Sequence, residues 1–152
     1  MNLLRTALLL LPLLFTANLN AFAQETSVPR IGAQVFIEPG QDEASIDHWF
    51  KTLSENHMDV CRIRLFERHI HQNGTWDFSR YDIAMDKAEK YGIRVFLTLF
   101  PATPKSDIGG FKFPESQTHM ASISTYIRKS VKQYKDHPAL YCWVLQNEPG
   151  AG

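Results

Sequence analysis

Ile93-Arg94-Val95-Phe96-Leu97-Thr98-Leu99-Phe100 decides the fold. Its apolar character is nearly continuous, the pattern of a strand buried on both faces of a parallel sheet. Just before it, Tyr91-Gly92 stops a helix with glycine in the C′ position. That helix buries Tyr81, Met85 and Ala88, and Ser79 with Asp82 forms a capping box stapled by Phe78 and Ile83. Upstream again are a polar loop from Glu67 to about Asp77, a strand from Asp59 to Phe66, and a helix whose Ile46, Trp49, Phe50 and Leu53 share one face. A first strand, Ile31 to Ile37, ends at Glu38-Pro39-Gly40. Downstream of the deciding stretch, a long loop runs from Pro101 to Pro114. A helix then spans about Ser116 to Asp136, with Met120, Ile123, Ile127, Val131 and Tyr134 at spacings of three and four. Pro138 closes it, and Ala139 to Gln146 reads as a fourth strand. The order β-α-β-α-β-α-β predicts an α/β fold with parallel strands, whose function gathers at the C-terminal strand ends.

The chain has 152 residues. Residues 1–23 read as a secretory signal peptide: Arg5, a leucine-dominated run from Thr6 to Phe15, and Ala21-Phe22-Ala23 as the cleavage site. The apolar run is shorter than the ~20 residues a membrane span needs. The expected product is secreted or periplasmic, cleaved after Ala23, with residues 24–30 an exposed leader and 31–152 one domain. Lysine plus arginine balance aspartate plus glutamate at 16 each, and no basic stripe appears. Nothing therefore favours nucleic acid or a membrane surface as a partner once the signal is removed. Cys61 and Cys142 fall on strands separated by a third. That places them about twice the ~4.8 Å strand spacing apart, beyond the ~7 Å a disulfide tolerates. Two buried thiols are expected.

Three features could carry chemistry. Asn147-Glu148-Pro149 follows the fourth strand. A carboxyl partly desolvated at the mouth of a parallel sheet has a raised pKa and suits a general acid; a turn whose Asn and Glu face water is the other reading. Arg62 and Arg64 interrupt the second strand. An inward arginine would want a carboxylate, whereas one near the strand end would reach solvent. The third is Glu67-Arg68-His69-Ile70-His71, whose His-x-His spacing can bind metal. Without a supporting ligand set, a solvated or substrate-lining loop is expected and no metal.

Several stretches resemble the clan A (β/α)8 glycoside hydrolases, most closely the family 42 β-galactosidases. These are Val60-Cys61-Arg62-Ile63; Asn73-Gly74-Thr75-Trp76-Asp77-Phe78 followed by Tyr81-Asp82; Ala88 through Val95; and Tyr134-Lys135-Asp136-His137-Pro138-Ala139-Leu140, running on to Trp143 and Asn147-Glu148-Pro149-Gly150. The Asn-Glu-Pro ending is shared with family 5 cellulases and mannanases. One departure is plain: where the family carries a Trp and a Glu-Pro after strand two, this chain has Arg68, His69 and Ile70.

The resemblance implies the first four β/α units of a TIM barrel, truncated after strand four. It implies a retaining glycosidase acting on an oligo- or polysaccharide, without a cofactor. Glu148 matches the general acid/base, Asn147 the amide binding the sugar 2-hydroxyl, and Arg62 the arginine that orients the nucleophile. The nucleophile itself belongs to the C-terminal half of the barrel, which this chain lacks. A full barrel takes about 250 residues, so the chain alone is expected to be inactive and marginally folded. Two other readings stand beside this one: a non-catalytic half-barrel carbohydrate-binding or interaction module, and an open-sheet α/β protein unrelated to sugars. The latter's crevice would need a phosphate-binding glycine loop, which the sequence lacks.

Overall fold

The computed structural model describes residues 29–103 and 114–145. Its centre is a four-stranded parallel sheet in which chain order is spatial order. The strands are β1 (Gly32–Val35), β2 (Val60–Phe66), β5 (Arg94–Phe100) and β6 (Leu140–Val144). Between β1 and β2 lies α1 (Glu43–Glu55). After β2 come α2 (Glu67–Ile70), the two-residue strands β3 (His71–Gln72) and β4 (Thr75–Trp76), and α3 (Ser79–Lys90). The helix α4 (Gln117–Tyr134) leads to β6.

Alternation along the strands sorts the sheet into two faces. Val35, Cys61, Ile63, Leu65, Val95, Leu97 and Leu99 join one apolar cluster with side chains from α1, α3 and α4. All three long helices therefore cover the same face. Gln34, Arg62, Arg64, Phe96 and Thr98 alternate with that set and point to the other. The deciding stretch of sequence behaves as expected: of β5, only Arg94 is exposed.

Several expectations need correction. The segment 67–77 is a folded excursion rather than a polar loop. Asn73 and Gly74 both have positive φ, 52° and 78°, and join β3 to β4 as a two-residue hairpin turn of the kind Asn-Gly favours. Ser79 does not cap α3. The Asp77 Oδ1 accepts the Ser79 N–H at 2.9 Å, while Asp82 accepts from the Gln133 amide and the Tyr134 hydroxyl. The buried side of α4 is His119, Ile123, Tyr126, Ser130 and Tyr134, with Met120 47% exposed. Trp49 on α1 is equally exposed; Ile46, Phe50 and Leu53 alone form its buried stripe. The first strand stops at Val35, leaving Ile31 and Phe36 exposed. The end of the expected leader is tied down by an Arg30–Asp59 ion pair of 2.8 Å.

Cys61 and Cys142 lie on β2 and β6 with β5 between them, and both are free. Cys142 is only half-buried. Residues 1–28, on which the signal peptide falls, lie outside the described residues. No helix among the described residues is long and apolar enough to cross a membrane.

Candidate functional site at the C-terminal ends of the strands

Two buried tyrosines fix the end of the sheet where β2 and β5 finish. The Tyr81 hydroxyl, from α3, accepts the Phe66 N–H and donates to the Arg64 carbonyl, both at 3.2 Å. The Tyr126 hydroxyl, from α4, accepts the Phe100 N–H at 3.1 Å and donates to the Leu65 carbonyl. Burial pushes both phenols far above their ordinary value. They remain neutral donor-acceptors that satisfy backbone groups the ending ladder leaves behind.

Arg62 projects from the face that none of the three long described helices covers. Its Nε donates to Thr98 Oγ1 at 2.8 Å. In register Arg62 lies opposite Phe96, and Thr98 is opposite Arg64. The side chain therefore leans two residues toward the C-terminal end of the sheet. Arg62 is half-buried and held across the sheet, its side chain leaning toward the C-terminal end of the strands. Asn147 and Glu148 themselves lie outside the described residues.

A carboxyl to which the sequence assigned no role of its own, the first residue of the His-x-His stretch, sits at the same end. Glu67, the first residue after β2, is buried. Its Oε2 accepts the Ala102 N–H at 2.8 Å and its Oε1 lies 3.7 Å from His71 Nδ1. Burial raises its pKa, against the opposing pull of the Ala102 N–H and then His71 and His119. His119 completes the arrangement from α4. Its Nδ1 accepts the Glu115 N–H at 3.3 Å, which places the ring proton on Nε2, 3.2 Å from the Ala102 carbonyl. Glu67 and His119 thus grip both polar groups of Ala102, the residue from which the loop after β5 departs. Nothing in the local sequence announces this, because an acid directly after a strand ordinarily faces water.

The His-x-His pair does not converge. His69 lies against Phe66 and, through Nδ1, 3.4 Å from the Tyr81 hydroxyl; burial lowers its pKa. His71 stacks on Trp76 at 4.0 Å. Elsewhere, Asp86, Glu89 and His137 bring three ligand-type atoms within 4.8 Å of one another. The imidazole does not fit a cation, however. His137 Nδ1 accepts the Ala139 N–H at 3.2 Å, so the proton is on Nε2, the nitrogen facing Asp86. A bound cation would need that lone pair.

The comparisons with known proteins agree with this architecture. No family model matches the chain. Among curated proteins, it is 24% identical over 140 residues to the "Probable mannan endo-1,4-beta-mannosidase A-2" of Aspergillus terreus, covering 71% of the chain and 35% of that protein. It is 29% identical over 89 residues to the A-1 protein of the same fungus, covering 50% of the chain and 22% of that protein. Solved structures share the fold at low identity. A β-galactosidase from the psychrophilic Marinomonas ef1 superposes with a TM-score of 0.68 at 17% identity, over 81% of the chain and 22% of its own. An endo-1,4-β-D-mannanase from Thermotoga petrophila gives 0.65 at 18%, over 80% of the chain and 46% of its own.

The fold class is therefore α/β with a parallel sheet, of the kind found in TIM-barrel glycoside hydrolases. The chain spans about a third of the first curated relative and about a fifth of the second.

Proposed function

We propose that this chain supplies the first four β/α units of a retaining glycoside hydrolase barrel acting on β-linked polysaccharide. The observation that carries the reading is the placement of Arg62: fixed by Thr98 on the open face and leaning toward the strand ends. In the proposed site Glu148 is the general acid/base, donating to the glycosidic oxygen and then accepting from water. Asn147 binds the sugar 2-hydroxyl, and Arg62 orients a nucleophilic carboxylate. Retaining chemistry sets two carboxyl groups ~5–5.5 Å apart. In the proposed barrel the second belongs to a strand beyond the fourth, and among the described residues β6 is an edge of the sheet. The proposed product is exported, with cleavage after Ala23.

A β-mannan backbone is the favoured substrate, because both curated relatives bear mannan endo-1,4-β-mannosidase names. β-Galactosides are the second reading, supported by the fold likeness to the Marinomonas enzyme. Calorimetric titration with mannotetraose and lactose separates the two. Binding of mannotetraose, weakened about tenfold or more by Asn147→Ala, supports the mannan site. Preference for lactose supports the galactoside reading, and absence of binding to both overturns the carbohydrate reading. Turnover of mannan by the isolated chain, abolished in Glu148→Gln, would show that no second half is required.

A further inference from the structure

The turn that joins β3 to β4 is the chain's one Asn-Gly pair, Asn73-Gly74. Asn73, Gly74 and Thr75 are all exposed. A Cβ added at Gly74 would meet nothing within 4 Å, so water has free access to the turn. Among the described residues no hydrogen bond holds the Asn73 amide. Asn56 differs: its amide is tied to the Thr52 carbonyl at 2.8 Å.

An Asn-Gly pair reacts with itself in water, because glycine has no side chain to hinder its nitrogen. The Gly74 nitrogen gives up its proton and attacks Asn73 Cγ. The Cγ–Nδ2 bond breaks and ammonia leaves. Water then opens the five-membered imide, at one carbonyl to give aspartate and at the other to give isoaspartate, whose backbone runs through the side-chain carbon. Water is the only co-reactant. The folded turn withholds the first step. At φ 52° Asn73 is left-handed, the conformation that sets Cβ beside the carbonyl oxygen that follows it. The next nitrogen leaves the carbonyl carbon opposite that oxygen, so Gly74 N lies away from Cβ and out of reach of Cγ. The reaction waits for the turn to open.

Little holds the turn shut. Each strand has two residues, and short hairpins are marginal on their own. The fastenings are His71 flat against Trp76 at 4.0 Å, the Gln72 amide on the Arg68 carbonyl at 3.0 Å, and the Asp77 N–H on the Ile70 carbonyl at 2.7 Å. We infer that Asn73 is a hydrolytic modification site timed by the opening of the β3–β4 hairpin, and that isoaspartate makes the opening permanent. The carbon it adds to the backbone lengthens a turn whose two residues fix the Gln72–Thr75 pairing. Loss of the hairpin also frees His71, which stands 3.7 Å from the buried Glu67. The inference is independent of the saccharide reading.

The test follows the full chain by peptide mapping and mass spectrometry at physiological temperature and mildly alkaline pH, folded and in urea. Asn73 is expected to convert roughly tenfold or more slowly in the folded chain, the factor being set by local opening. Asn56 should stay an amide throughout the folded series. Trp76→Ala and, with less disturbance of the core, His71→Ala should each bring the folded rate toward the urea rate, with faster amide exchange at Thr75. Asn73→Asp keeps the ordinary backbone, and Asp-Gly suits the same turn. It should retain the His71–Trp76 stacking seen by NMR, whereas the isoaspartyl chain should lose it. Equal rates in the folded and unfolded chains overturn the inference, as does an Asn73 that stays intact in urea. So do variants that speed exchange at Thr75 without speeding conversion. An isoaspartyl chain with its hairpin intact, or an Asn73→Asp chain that loses it equally, overturns the role given to the rerouted backbone.

Discussion

The two faces of the sheet are built on opposite rules. The covered face is apolar and sealed: Cys61, Ile63 and Leu65 of β2 and Val95, Leu97 and Leu99 of β5 are buried against Phe50, Tyr81, Met85 and Tyr126. The open face, made by the alternate residues of the same strands, carries Gln34, Arg62, Arg64, Arg94, Phe96 and Thr98. Tyr141 also remains substantially exposed, in contact with Phe96 and beneath Arg94. One strand thus serves two ends through its two-residue period. The apolar packing lies on one side, and polar groups that would be costly in a core lie on the other.

The contrast can be broken most severely from the covered side. Phe50→Ala empties a fully buried aromatic site between α1 and the sheet and should cost about 3–5 kcal/mol, read as a lowered urea midpoint. Gly32→Ala attacks the contact between β1 and β2. A Cβ there would stand 2.0 Å from the Val60 carbonyl oxygen, so β1 must move. A loss of about 1–3 kcal/mol is expected, with faster hydrogen exchange confined to β1 as the marker. Changes on the open face should do much less. Arg64→Met removes a buried donor without a partner, and the same melts should show a change of no more than about 0.5–1 kcal/mol, of either sign. A drop as large as that of Phe50→Ala would mean that the open face is a second core.

The thiols offer a smaller, chemical version of the same contrast. Burial pushes the Cys61 thiol up to about 12. It should resist alkylation in the folded chain, whereas half-buried Cys142 is modified first, as mass spectrometry of time points would reveal. The least effect expected concerns Glu67. Its folded pKa is raised, chiefly by desolvation, above the ordinary 4.5. The neutral form is therefore favoured by folding, and its stabilising contribution is complete below that value and lost as pH rises through the folded pKa. Glu67→Gln should flatten this decline in stability above about pH 4.5, while loosening the loop that begins at Ala102.

How far the sequence was legible depended on the range of the controlling interaction. Ile93 to Phe100 announced a doubly buried strand because burial on both sides requires continuous apolar character. Tyr91-Gly92 announced a helix stop because Gly92 adopts a φ of 70°. Asn73-Gly74 carried an equally local signal for a hairpin, obscured by the expectation of a loop there. Met120 and Trp49 were misplaced for another reason. Their spacing matches a buried stripe, but which side of a helix meets the sheet is fixed by docking, and α4 presents His119, Tyr126 and Ser130 beside the expected Ile123 and Tyr134. For Asp77 and Ser79 the choice of cap turned on a one-residue difference in where the helix begins.

The sequence by itself determined the alternating order of elements, the parallel sheet and the placing of the two cysteines on strands with a third between them, because hydrophobic period and turn chemistry act within a few residues. Only the tertiary structure decided that Arg62 would take Thr98 and leave Arg64 unpaired, and that Glu67 and His119 would close on the two polar groups of Ala102. Those pairings join residues 17 to 36 positions apart along the chain. Their energies depend on strand register and helix docking, which no local pattern encodes.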